Sequence, residues 1–204
     1  MAATILSRTW DEHYNRSRSE LSCPDENLVR ILATSGRTGA LLDFGTGSGR
    51  HLPLFQAAGF DPIVATDISA RSREMVHERF SESGVQIIVP EELHRYADAS
   101  FSVIIAWGVL HYNSMAEARD LLTLFYRLLQ SGGILLGTLR SDRDTHLRNN
   151  QDLPGIAVEY YAEAQALALL SEVFPENAMG HMERTLLGDT SKVIAHWFFR
   201  SRRP

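Results

Sequence analysis

Five short apolar runs, each closed by a turn and followed by a helical pattern, constrain this chain more than any other feature. They lie at 40–44 (ALLDF), 62–66 (PIVAT), 85–89 (VQIIV), 101–107 (FSVIIAW) and 134–139 (ILLGTL). Near-continuous apolar strands alternating with helices imply a parallel sheet covered on both faces. Right-handed crossovers leave few ways to connect it. The intervening helices are expected at 50–58, 69–83, 115–129 and 159–173, with Gly132 and Gly133 ending the third. Two closing strands, 186–188 and 193–200, flank a turn at Asp189, too close together for a crossover, and so form an antiparallel edge hairpin. The expected fold is α/β and doubly wound, with a mostly parallel seven-stranded sheet. Helices around 10–18 and 25–35 precede it, so that 1–204 reads as one domain, a helical cap or lid over 1–38 and a core over 39–204.

Composition narrows the function classes. A hydrophobic fraction of 44% excludes a wholly disordered chain, and a net charge of −5 is not that of a protein that coats phosphates. One cysteine, Cys23, leaves no internal disulfide and no thiolate metal cage. No apolar run approaches the ~20 residues that span a bilayer, and the N-terminus lacks a signal-peptide core. A cytoplasmic protein that binds neither membrane nor nucleic acid is expected. Oligomeric state is open, a homodimer included.

The chemistry concentrates in Asp43-Phe44-Gly45-Thr46-Gly47-Ser48-Gly49, between the first strand and its helix. Residues without a Cβ let backbone N–H groups approach a ligand closely. The spacing is G-x-G-x-G, not the dinucleotide G-x-G-x-x-G. A carboxylate at Asp43 would repel a pyrophosphate but attract a ligand with a cationic amino group. Asp67 ends the second strand, where a carboxylate accepts hydrogen bonds from ribose hydroxyls, and Ile68 can pack on an adenine face. The alternative for Asp67 is a helix N-cap.

These residues resemble a known family. The run from Leu41 to His51 (LLDFGTGSGRH) is similar to the first motif of class I S-adenosylmethionine-dependent methyltransferases, which are Rossmann-like. FDPIVATDIS (60–69) resembles their second motif and FSVIIAWGVLHY (101–112) their fourth. The resemblance covers about 40–140 and extends weakly to Trp10-Asp11-Glu12-His13-Tyr14, similar to the opening of small methyltransferases that act on small molecules. It implies S-adenosylmethionine as cofactor, bound by Asp43, Gly45, Thr46, Gly47, Ser48, Gly49, His51, Asp67 and Ile68. It carries the adenine amino contact to Glu91 or Glu92 and a ring-nitrogen contact to the Leu93 N–H. One departure is Ser102, where the family usually has Asp.

Methyl transfer from a sulfonium is an in-line displacement that mainly needs alignment and exclusion of water. The lack of a triad or metal motif is therefore no objection, and no metal is expected. His111 and Tyr112, just past the fourth strand, are the candidate catalytic groups. Trp107 is placed at the cofactor's amino-acid end, its alternative being plain core. Arg140 is placed on an acceptor carboxylate or phosphate, against the blander and stronger reading of the loop around Asp142, Asp144 and His146 as a solvated one with internal ion pairs. Trp10 and Tyr14, four residues apart, face the acceptor from a lid hinged at Ser17, Ser19 and Ser22. A non-catalytic cofactor-binding regulator and a nicotinamide oxidoreductase are the competing readings. Asp43 and the loop spacing argue against the second.

Overall fold

Alternation along the strands divides the core into two layers. The computed structural model describes residues 2–16, 22–148, 153 and 155–204. Seven strands form one sheet in the order β3-β2-β1-β4-β5-β7-β6. They are β1 (Gly39–Phe44), β2 (Phe60–Thr66), β3 (Gln86–Ile88), β4 (Phe101–Ala106), β5 (Leu129–Arg140), β6 (Glu176–Leu186) and β7 (Asp189–Arg202). The first five are parallel; β7 runs antiparallel to both β5 and β6. Leu42, Phe44, Ile104, Leu135 and Leu139 turn to one face, against α5 (Met115–Leu128) and α6 (Glu163–Ser171). Leu41, Val103, Ile105, Ile134 and Leu136 turn to the other, against α2 (Glu26–Ser35), α3 (Leu52–Ala57) and α4 (Ala70–Phe80). The period-two side-chain alternation of a strand produces this division. A further helix, α1 (Ala2–Tyr14), contributes none of its described side chains to either core cluster.

Several expected boundaries move. Gly132 and Gly133 do not end α5; β5 already begins at Leu129. The carbonyls at the end of α5 are satisfied instead by Arg203, whose guanidinium donates to those of Tyr126, Arg127 and Leu129 and lies 5.1 Å from the Tyr126 ring centroid. Arg203 is thus structural, because a cation at a helix C-terminus meets both orphan acceptors and a favourable dipole. The expected strand at 186–188 is really the hairpin tip: Leu187 is fully exposed and Gly188 has φ +84°. β6 escaped the apolar pattern because it is an edge strand of half-exposed, mostly polar residues. It is held by β7, whose Phe198 ring lies so close to Gly180 that a Cβ there would stand 2.2 Å from it.

The start of α5 is fixed by a reciprocal cap. The Ser114 hydroxyl accepts from the Glu117 N–H, while the Glu117 carboxylate accepts from the Ser114 N–H at 2.9 Å. Ser114→Ala is expected to lower stability by about 1 kcal/mol, read from a urea denaturation midpoint at unchanged slope.

Candidate active site

The glycine loop is folded onto the end of β2 by backbone alone. The N–H groups of Gly45 and Thr46 both donate to the Thr66 carbonyl, at 2.8 and 2.9 Å. Gly45, Gly47 and Gly49 have φ of +76°, +56° and +73°, which side chains rarely adopt. A Cβ on Gly45 would also stand 2.3 Å from Val109, and one on Gly49 would stand 3.0 Å from Phe80. The first glycine brings the loop against the residues following β4, and the third lets α4 close on it.

Asp67 pins the loop rather than capping the helix. One carboxylate oxygen accepts from the Gly47 N–H and the other from the Ser69 N–H, each at 2.9 Å. The cap of α4 is Ser69, whose hydroxyl accepts from the Ser72 N–H, while the Ser72 hydroxyl donates to the Gly47 carbonyl at 2.7 Å. Burial pushes the Asp67 carboxyl up, and these N–H bonds oppose the rise.

Asp43, in the last turn of β1 before the loop, is buried, and its Oδ2 has no hydrogen-bond partner among the described residues. Burial pushes its carboxyl up to about 7, with the Asp67 charge adding and Arg50 opposing. A buried carboxyl with one oxygen unpaired is costly to ionise, which is why its proton is held so firmly.

A cavity of about 400 Å³ opens at this sheet edge, between Phe44, Gly45, Asp67 and Ile68 on one side and Val109, Leu121 and Leu124 on the other. From α1, Leu6, Trp10 and Tyr14 close it. Trp10 stacks on Tyr14 and meets the edge of Tyr112, with ring centroids 6.1 and 4.9 Å apart. The Tyr14 hydroxyl reaches the loop, 2.7 Å from where a Gly47 Cβ would be. Asp11 ties α1 down by accepting from the Ser69 hydroxyl at 2.5 Å and the Arg71 N–H at 3.1 Å. Of the expected hinge, Ser17 and Ser19 lie outside the described residues.

Other expected residues stand elsewhere. Glu91, Glu92 and Leu93 sit on a 3-10 turn, Pro90–Arg95, and do not line the cavity; Pro90 and His94 do. The tight turn sends Leu93 wholly into the core and leaves Glu91 exposed. His111 is fully buried, lines neither this cavity nor the second one described below, and is held well below its ordinary pKa by burial and by Arg140. Tyr112 does line the cavity. Arg140 is not open to an acceptor: its guanidinium pairs with Asp144 at 2.8 Å, and both side chains are buried. Asp144 also accepts from the N–H groups of Ala195 and Leu147. Thr46 and Ser48 are buried within the loop. His51 is buried against Phe55, and burial lowers its pKa to about 3. Ser102 donates to the Thr38 and Ala40 carbonyls at the opposite end of β4, away from the loop, so the residue there has no bearing on the site.

A second cavity of about 670 Å³ adjoins the first at Gly108 and is lined by Trp107, Arg50, Thr138, Arg184 and His196, among others. Trp107 therefore presents its side chain here, on the far side of β4 from Phe44. The sequence reading missed His196 and Arg184 because they arrive on the hairpin. The only signal available was the β5–β7 pairing, which sets His196 opposite Arg140.

A doubly wound sheet with a G-x-G-x-G loop, an acidic residue ending each of its first two strands and an antiparallel C-terminal hairpin defines the class of S-adenosylmethionine-dependent methyltransferases. A family profile described as a methyltransferase domain matches residues 14–182, and the chain belongs to that family, whose members use S-adenosylmethionine. Solved structures agree in fold. The Burkholderia thailandensis 1,6-didemethyltoxoflavin-N1-methyltransferase, with bound 1,6-didemethyltoxoflavin and S-adenosylhomocysteine, is similar at TM-score 0.73 and 17% identity, covering 98% of this chain and 88% of that one. The N-methyltransferase NodS from Bradyrhizobium japonicum WM9, in complex with S-adenosylhomocysteine, is similar at 0.70 and 18%, covering 98% of each chain. A putative methyltransferase in a complex with the Haloferax volcanii Trm112 activator is similar at 0.73 and 11%, covering 100% of this chain and 98% of that one. No curated protein sequence matches. Among the described residues, no helix is long and apolar enough to cross a membrane.

Proposed function

We propose that this protein transfers a methyl group from S-adenosylmethionine to a small molecule and that the first cavity holds the cofactor. The observation that carries the assignment is the unpartnered Asp43 Oδ2 beside a loop pinned by Asp67. Asp43 and the loop N–H groups receive the cationic amino-acid end, Asp67 the ribose hydroxyls, and Ile68 and Val109 the two faces of the adenine. When bound, the cofactor supplies a methyl group on a sulfonium with a good leaving group. The protein's part is alignment and dryness: Trp10, Tyr14 and Tyr112 cover the cavity mouth and exclude water. The small-molecule reading is supported by clefts of a few hundred Å³ and by the 1,6-didemethyltoxoflavin-N1-methyltransferase among the fold neighbours. Calorimetry with S-adenosylmethionine, S-adenosylhomocysteine and NAD tests it. The first two are expected to bind and NAD is not; tight NAD binding without the others would overturn the assignment.

Asp43 gives the binding a pH signature. Below about 7 the free protein keeps a proton on this carboxyl. A cationic ligand displaces that proton, so affinity is expected to rise roughly ten-fold per pH unit between about 5.5 and 6.5 and to level off near 7. Folding stability runs the other way. The folded pKa of about 7 exceeds the ordinary 3.8, so the ligand-free protein loses stability as pH rises through that window. The loss is on the order of 4 kcal/mol at most. Asp43→Asn is expected to melt higher than wild type at pH 7.5 while binding the cofactor weakly and without the pH slope. Thermal shift and calorimetry at three pH values read both effects.

A further inference from the structure

We propose that the second cavity receives the methyl acceptor and that the acceptor carries an oxyanion, a carboxylate or a phosphate. The inference rests on the cofactor assignment above and adds the substrate class. The two cavities meet at Gly108, at the end of β4, where a Cβ would find no atom within 4 Å. The absence of a side chain leaves the passage between them open. Strand ends at this edge are where ligands bind in such sheets.

The charges in the second cavity are unbalanced in a specific way. Arg50 and Arg184 both line it, and neither makes an ion pair or hydrogen bond with another described residue. Burial lowers the Arg50 guanidinium and the Arg184 charge adds to this, while the charges of Asp25 and Asp43 oppose it. Three acids also line the cavity, and each has a partner other than these arginines. Asp25 caps α2 by accepting from the Asn27 N–H, Glu26 pairs with Arg30 at 2.5 Å, and Glu183 stands 3.6 Å from Arg143 and 3.7 Å from His181. Two guanidinium forks on one space, neither within ion-pair distance of a carboxylate among the described residues, are satisfied by a planar or tetrahedral oxyanion, which guanidinium binds in a bidentate manner. His196, on the same wall, is kept neutral by burial and by Arg140, so it adds no competing cation at neutral pH.

The test is calorimetry on protein saturated with S-adenosylhomocysteine, titrated with benzoate, phenyl phosphate and the neutral isostere benzamide. At least one anion is expected to bind roughly ten-fold tighter than benzamide, and which one does separates carboxylate from phosphate. Arg50→Gln and Arg184→Gln are each expected to erase most of that preference and to leave S-adenosylhomocysteine affinity within about two-fold. Arg184 is exposed on the hairpin, so its variant tests the proposal without burdening the fold. Equal binding of all three probes, or of none, overturns the proposal, as does a loss of S-adenosylhomocysteine affinity in Arg50→Gln, which would give that side chain to the cofactor. If the wild-type protein fails to bind S-adenosylhomocysteine at all, the cofactor assignment falls and this proposal falls with it. Cofactor binding without anion preference defeats this one alone.

Discussion

Gly47→Val is expected to abolish cofactor binding in a protein that still folds. Valine at φ +56° is strained in a region where a branched Cβ meets its own carbonyl, at a cost of roughly 1–2 kcal/mol. The new Cβ would stand 2.7 Å from the Tyr14 hydroxyl, so either α1 lifts or the loop moves. Loop movement breaks the bond from the Gly47 N–H to Asp67, and with it the alignment of the two carboxylates. The side chain also fills the space into which the loop backbone must admit a ligand. Asp67→Ala is the graded counterpart, expected to weaken binding by ~1.5–3 kcal/mol, the range for hydrogen bonds to a charged group. Titration calorimetry alongside circular dichroism checks both. Normal binding by both folded variants would remove the loop from the cofactor site.

Deleting residues 1–20 is expected to leave the sheet folded and to cut turnover by about 100-fold, the scale of a misaligned or wetted transfer. None of the described α1 side chains belongs to either core cluster, so the melting temperature should move little. The cavity, however, loses Leu6, Trp10 and Tyr14, and the α4 N-terminus loses its contact from Asp11. Cofactor affinity is expected to fall less than turnover, because Asp43, Asp67 and the glycine loop remain. The measurement is S-adenosylhomocysteine formation with an acceptor from a carboxylate and phosphate panel, beside the cofactor Kd of the same truncated protein. An unaltered rate would show that α1 only packs, and the acceptor would then be held by the second cavity alone.

The parallel sheet and the family were legible because their signals are local. A buried strand writes itself as an apolar run, and three positive-φ turns write themselves as glycines at fixed spacing. Asp67 was legible for the same reason: a strand end, a loop and an acid lie within one βαβ unit. Where contacts span the chain, the sequence carried no sign of them. For Arg140 the sequence left an acceptor contact and an internal ion pair both open; the pair with Asp144 is local, but its burial came only from β7, which sets His196 opposite Arg140 and whose Ala195 N–H donates to Asp144. His111 reads as a base until Glu159, whose N–H donates to its carbonyl, and His196, with ring centroids 5.6 Å apart, stand against it in a place that lines neither cavity. Glu91 and Glu92 match a motif by position, yet the 3-10 turn faces Pro90 and His94 into the cavity. Edge strand β6 has no apolar run, since half of an edge strand faces solvent and its backbone pairing leaves no mark on residue type. The sequence by itself determined the class of sheet, the loop and the cofactor. Tertiary structure alone decided which cations stay unpaired, because pairing is settled by the register of strands far apart in the chain.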